Sequence, residues 1–155
     1  MSKSKGEMSQ AEIDQFLTCA PTGRLGLIID NEPYVIPVGY VYHKGKIAIH
    51  SCTKGKKIEA LKSNPRVCFE VDETLSDVSM YKSVIMFGES EILHEPEAII
   101  PYLQLHINKY RVPENFETYM QKPGRKRDEE LKSARIILIT PDQMTGRKFI
   151  RTIEA

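Results

Sequence analysis

Apolar residues recur at two different periods along this chain, and the changes of period mark its elements. Ser9-Gln10-Ala11-Glu12 has the form of a capping box, and Ile13, Phe16, Leu17 and Ala20 follow at helical spacing, so an amphipathic helix is expected to run to about Cys19. Pro21 and Gly23 end it. Period two then takes over. Residues 24–29 alternate with Leu25, Leu27 and Ile29 on one face, residues 30–33 form a turn, and residues 34–43 are aromatic and β-branched. Lys44-Gly45 turns the chain back into a strand over 46–50, and such close spacing predicts an antiparallel meander. A helix is expected over about 55–63, with Ile58 and Leu61 on one face. Asn64-Pro65 breaks the chain before a strand over 66–71, in which Val67, Phe69 and Val71 share a face, and residues 72–77 read as a polar loop.

Residues 82–93 predict a long strand in which Gly88 suits a bulge or a sharp barrel bend. Pro37 and Gly39 inside the 34–43 run are unusual for a central strand, because proline cannot donate to the ladder. Either this is an edge strand, or it presents backbone to a ligand. Residues 95–110 read as helical, with Ile99, Tyr102, Leu103 and His106 on one stripe and with Pro101 expected to kink or split the helix. The pattern weakens from 111 to 132, where Phe116, Tyr119 and Met120 predict a single helical turn and residues 123–127 a loop. Strands over 134–140 and 146–153 close the chain. Six or seven strands on short turns, with a few peripheral helices, predict a mainly β, antiparallel barrel, the arrangement that leaves few open edges.

With 155 residues, a single domain spanning 1–155 is expected, with residues 1–8 as a flexible, polar lead-in. A chain of this length buries roughly 70% of its unfolded surface without a covalent staple. The formal charge of +1 gives no global field for a nucleic acid or a polybasic membrane contact, so any anion site must be local. Cys19, Cys52 and Cys68 are widely spaced, as in a reduced cytoplasmic protein, and the lead-in lacks the apolar core of a secretory leader.

Residues 45–58 carry the densest candidate chemistry. A short strand ending at His50 runs into Ser51 and Thr53 and then into a helix opened by Lys54, Lys56 and Lys57. Free N–H groups at that helix start, with these hydroxyls and ammonium groups, would hold a phosphate, although the same residues also suit a solvated turn. His50 ends the strand feeding this loop, where it would lie beside whatever the loop holds or bond a neighbouring backbone group. The four histidines are scattered, so no metal site is expected. Arg125-Lys126-Arg127 is followed at once by Asp128, Glu129 and Glu130, which reads as a solvated loop.

Several fragments in register carry a resemblance. Gly23-Arg24-Leu25-Gly26, Pro33 to Tyr40, Ile49-His50-Ser51 with Gly55-Lys56-Lys57-Ile58, Asn64 to Phe69, and Ser83-Val84 with Gly88 resemble the pyridoxamine 5′-phosphate oxidase-like flavoproteins, nearest to the nitroimidazole-resistance type. The resemblance implies a split β-barrel binding FMN, usually a homodimer with two flavins at the subunit interface. It places Lys56 and Lys57, with Ser51 or Thr53, around the FMN phosphate, and Pro37, Val38, Ile49 and His50 along the isoalloxazine ring. Ser83 and Val84 would approach from the neighbouring strand, and His50 is the candidate catalytic residue. Relatives often have arginine where this chain has Lys56, which exchanges a bidentate fork for a point charge. The implied activity is an oxidoreductase passing electrons from a reduced nicotinamide or similar donor to a small acceptor, nitroaromatic compounds among them. A non-catalytic flavin-binding or sensing module and a haem-binding relative are the alternatives, since members of this superfamily also take haem or a deazaflavin.

Overall fold

A computed structural model describes residues 2–152. The elements follow in the order β1 (Ser2–Glu7), α1 (Gln10–Cys19), β2 (Gly23–Ile29), β3 (Glu32–Val38), β4 (Val41–His43), β5 (Lys46–Cys52), α2 (Lys56–Ser63), β6 (Arg66–Thr74), β7 (Met80–Leu93), α3 (Pro96–Tyr110), α4 (Phe116–Met120), α5 (Arg127–Ser133) and β8 (Ala134–Thr152). All eight strands join one antiparallel sheet in the order β3-β2-β6-β7-β8-β5-β4, with β1 added along β8. Its two end strands, β3 and β4, are consecutive in sequence and joined only by Gly39-Tyr40. The sheet therefore curls into a barrel whose seam is crossed by the chain instead of by a ladder of hydrogen bonds. This is the split barrel the resemblance implied.

Local chemistry explains the joints. The capping box at α1 is complete: Glu12 N–H donates to Ser9 Oγ at 3.2 Å and Ser9 N–H to Glu12 Oε1 at 3.1 Å. Asp30 and Asn31 (φ 52° and 64°) and Lys44 and Gly45 (φ 50° and 76°) each supply the paired positive φ values of a two-residue hairpin whose twist matches its strands. Gly88 sits at a register shift, where Phe87 faces Gln143 but Gly88 faces Pro141, so Asp142 bulges out of β8. Arg66 meets the bulged Asp142 and also Glu89. Pro141 sits at this bulge, between the stretch of β8 paired with β5 and the stretch paired with β1, where only β7 lies alongside.

Alternation along β5 and β8 divides the apolar residues between two cores. Ile47, Ile49, Ile137 and Ile139 point into the barrel with Leu25, Phe69, Val84 and Met86. Ala48, Ala134, Ile136 and Leu138 point outward, beneath Ile99, Leu103 and Ile107 of α3, Phe116 of α4 and Leu131 of α5. Burial on both faces explains why residues 134–140 read as a continuous apolar run.

Five expectations are corrected. The run 34–43 is two strands on opposite edges of the sheet, because Gly39-Tyr40 carries the chain across the seam. Residues 134–140 and 146–152 are one strand of 19 residues, bent by the bulge but not broken; Ile153, the last residue of the expected strand, lies outside the described residues. The polar lead-in is a strand from Ser2 to Glu7, paired with residues 147–152 of β8. Part of the expected basic loop is α5, in which Arg127 is tied to Glu117 of α4 and Leu131 is buried, while Arg125 before it is tied to Glu130. Pro101 splits nothing; α3 is a single helix with an exposed proline.

A Cβ at Gly88 would lie 2.3 Å from the Thr140 carbonyl oxygen and 2.9 Å from Pro141 Cα, both backbone atoms of the paired strand. Gly88→Ala is therefore expected to cost about 2–3 kcal/mol and to lower the melting temperature by roughly 5–10 °C. A shift under about 1 °C by calorimetry would show that the bulge does not need a glycine.

Candidate functional site

The outward face of β5 carries His50 two residues beyond Ala48, which places its ring under the α3 to α5 layer instead of inside the barrel. There the helices leave a cleft of about 470 Å³, open on one side. Its floor is aromatic and apolar, formed by His106 and Tyr110 of α3, Phe116, Tyr119 and Met120 of α4, and Leu131 of α5. Gly39 of the crossover, Arg111, Arg125 and Glu130 complete the rim. The rings are arranged in sequence. His50 meets His106 edge-on with centroids 6.1 Å apart, and His106 stacks on Tyr110 at 5.9 Å with 27° between planes.

The end of α3 fixes the crossover against this cleft. Tyr40 N–H donates to Tyr110 Oη at 2.8 Å, and that hydroxyl lies 2.7 Å from the Pro21 carbonyl and 2.8 Å from the Tyr40 carbonyl. Lys109 Nζ donates to the Ala20 carbonyl at 2.7 Å and the Tyr40 carbonyl at 2.8 Å, and sits 4.0 Å from the Tyr40 ring centroid. Burial brings the Lys109 ammonium down to about 8. Tyr40 itself is fully buried, with its hydroxyl donating to the Leu17 carbonyl at 2.6 Å.

Both cleft histidines are held neutral near pH 7. Burial, only partly opposed by a bond to Ala48, pushes His106 down to about 4. Because a carbonyl only accepts, the 3.1 Å contact between His106 Nε2 and Ala48 O places the proton on Nε2. His50 is exposed at the cleft margin, and partial desolvation by its neighbours lowers its pKa. Glu130 pulls it up and Lys57 adds to the lowering, so Lys57 lies close enough for its charge to be felt at His50.

The other expected site residues are dispersed around this cleft. Lys57 is half-buried at the start of α2, whereas Lys56 faces a separate hollow beside Asp30 and Asn31. The α2 N-cap is Gly55 at φ 129°, with no side-chain cap, so the first-turn N–H groups stay open to an anion. Ser51 pairs with Arg135 and Thr53 N–H donates to the Ser133 carbonyl at 3.0 Å, which keeps both backbones within the sheet margin near α2. Pro37 is exposed and Val38 half-buried at the end of edge strand β3, with only Gly39 reaching the cleft. Two expected ring contacts need correcting. Ile49 (1% exposed) and Val84 (0%) point into the barrel core by strand alternation, so neither side chain is available to a ligand. Ser83, one residue earlier, lies on the outer face of β7 with Ile85 and Phe87.

Sequence reasoning missed most of the cleft. His106 fell on the apolar stripe of α3 and read as a core position, while Tyr119, Met120 and Glu130 sit in the weakly patterned 111–132 segment. The available signal was a cluster of aromatic residues in a region with no strand period, which is the usual composition of a pocket lining.

A family model for pyridoxamine 5′-phosphate oxidase matches residues 9–148. The chain belongs to the pyridoxamine 5′-phosphate oxidase family. A solved structure of a candidate 5-nitroimidazole antibiotic resistance protein from Bacteroides thetaiotaomicron covers 96% of this family member and 90% of its own chain, with a TM-score of 0.75 at 20% identity, a likeness of fold. An FAD-binding protein from Mesorhizobium loti is 26% identical, covers 96% of this chain and 98% of its own, and has a TM-score of 0.67. An uncharacterized Rhizobium meliloti protein is 29% identical over 86 residues, 56% of each chain, so this chain spans little more than half the length of that curated relative. No helix among the described residues is long and apolar enough to cross a membrane.

The neutral His106 gives the family member a pH signature. Its folded pKa, about 4, lies below the ordinary 6.5, so the unfolded chain binds the proton more readily. The associated stability is complete above about pH 6.5 and is lost as pH falls towards 4. Roughly 2–3 kcal/mol is expected to disappear across that window, after allowance for the ring's partial exposure. His106→Gln keeps a donor for Ala48 without the titration, so denaturant midpoints of the variant should flatten between pH 6.5 and 4. An unchanged slope would remove His106 as its source.

Proposed function

We propose that this member of the pyridoxamine 5′-phosphate oxidase family binds FMN and is a flavin-dependent oxidoreductase. The observation that carries the reading is the start of α2: an uncapped helix opened by Gly55, flanked by Lys54, Lys56 and Lys57, within electrostatic reach of His50 and its aromatic cleft. This donor set suits a terminal phosphate dianion. The FAD-binding Mesorhizobium relative supports a flavin. A helix end with adjacent ammonium groups suffices for the single phosphate of FMN, and the titration below compares it with FAD.

In this reading Lys57 and the α2 N–H groups hold the phosphate, and Lys56 reaches it by turning from its hollow. Thr53 and Ser51 line the approach, and the Pro37–Gly39 edge presents backbone to the ring system. His50, neutral and partly exposed, offers a hydrogen bond at the mouth of the cleft. A bound flavin supplies the electron-transfer chemistry, which no side chain of this protein provides. A reduced nicotinamide or a similar donor gives electrons, and a small acceptor, with nitroaromatic compounds as candidates, takes them in the cleft.

A homodimer belongs to the same reading. Val35, Gly26, Cys68 and Phe87 are cross-strand neighbours on the outer face of the sheet, and Ile85 lies in the adjoining row. Val35 is 65% exposed, Phe87 44% and Ile85 43%. The ion pairs of Arg24 with Glu70 and Asp72 and of Arg66 with Asp142 flank this strip. A second copy covering it would also bring Ser83 to the site margin and wall the open side of the β3 edge. Sedimentation equilibrium is expected to show a dimer at micromolar concentration; a monomer that stays saturated with FMN would contradict the shared site.

The phosphate assignment is tested by titrating FMN, FAD and riboflavin. Charge-assisted hydrogen bonds contribute about 1.5–3 kcal/mol each, so Lys57→Ala should weaken FMN roughly 10- to 150-fold, and the Lys56→Ala/Lys57→Ala double variant further. Riboflavin, lacking the phosphate, should bind almost equally to all variants. A double variant that still prefers FMN to riboflavin as strongly as the parent would place the phosphate elsewhere.

A further inference from the structure

We propose that the cleft beneath α3, α4 and α5 selects a small aromatic molecule carrying one negative charge, with Arg111 as the selecting cation. As a substrate class this rests on the flavin reading above; as a binding preference it belongs to the cleft itself.

Most of the charge around the rim is already paired. Arg125 is already occupied: its guanidinium donates to Glu130 Oε1 at 2.7 Å, to the Tyr119 hydroxyl, and lies 4.4 Å from the Tyr119 ring centroid. Glu130 is occupied in turn, since its other oxygen accepts from Lys126 N–H at 3.1 Å. These two lining charges are paired with each other. His50 and His106 are neutral. Arg111 is left as the one lining charge with no side-chain partner among the described residues, held at the end of α3 by its N–H bond to the Ile107 carbonyl at 2.9 Å. On the His50 side Lys57 opposes the larger field of Glu130, which leaves the Arg111 end as the place for a negative charge. An aromatic floor with one unbalanced cation above it complements a flat ring bearing a carboxylate. The cleft's size of about 470 Å³ accommodates a one-ring molecule and leaves room for a neighbouring planar group.

Neutral polar groups on both sides of the cleft, His106 on α3 near Arg111 and His50 on β5 across from it, fit the same class. His106 uses Nε2–H on Ala48, so its Nδ1 remains an acceptor, and His50 has no hydrogen-bonded partner among the described residues. A neutral imidazole beside the far end of the ring would hydrogen-bond a polar substituent there without adding charge.

The test uses 4-nitrobenzoate and 4-nitrobenzamide, which match in size and differ in charge. Isothermal titration on flavin-free and FMN-loaded protein is expected to give the anion on the order of three- to tenfold tighter binding, allowing for the exposure of Arg111. Arg111→Gln should abolish the preference while leaving FMN affinity unchanged, and Lys62→Gln, which removes an exposed charge on α2, should leave it intact. Equal affinities, failure of both compounds to bind, a preference that survives Arg111→Gln, or simple competition between 4-nitrobenzoate and FMN would each overturn the proposal. Loss of FMN binding alone would instead count against the cofactor reading, because the flavin-free titration reads the cleft by itself.

Discussion

Strict alternation along two strands governs this molecule. β5 over residues 47–49 and β8 over residues 134–139 are packed on both faces, so each residue there belongs either to the barrel interior or to the layer beneath α3, α4 and α5. Moving the register by one residue would exchange the two sets completely. That constraint sends Ile49 inward and His50 outward, and thereby places the site histidine against helices instead of against the barrel core. The bulge at Asp142 keeps β8 one strand of 19 residues but shifts its alternation by one, so that Ile137 and Ile139 before it and Met144 after it all face the barrel core.

Closing the barrel creates a second requirement. The seam between β3 and β4 has no ladder, so Gly39-Tyr40 must be held by other groups. α3 supplies them: the Tyr110 hydroxyl and the Lys109 ammonium take up both backbone polar groups of Tyr40 and reach on to Pro21 and Ala20. Tyr110, with His106 one turn earlier, also lines the cleft. The device that seals the barrel therefore also fixes the edge that a flavin ring would approach, which couples site geometry to fold stability.

Elements with a local cause were legible in the sequence. The capping box at Ser9 and Glu12, the hairpin turns at Asp30-Asn31 and Lys44-Gly45, and the bulge at Gly88 each follow from neighbours in the chain, and each stands where the pattern placed it. The run 34–43 was misread because nothing local says that Tyr34 and Val41 belong to opposite edges of a sheet. α5 was misread for a related reason: its helix depends on Leu131 meeting a face built by β5 and β8, and on Arg127 reaching Glu117. The lysines and hydroxyls around the α2 start could be read from composition. The aromatic cleft could not, since its lining comes from a strand end and three helices separated by up to 95 positions.

The central claim is that this chain holds a flavin between the α2 start and the cleft. The visible absorption spectrum of the purified protein, after incubation with FMN and removal of unbound ligand, tests it most directly. The account expects the two flavin bands of the oxidised cofactor to remain with the protein, in a stoichiometry of about one per chain. A colourless protein, or one that instead retains a haem Soret band, would contradict it.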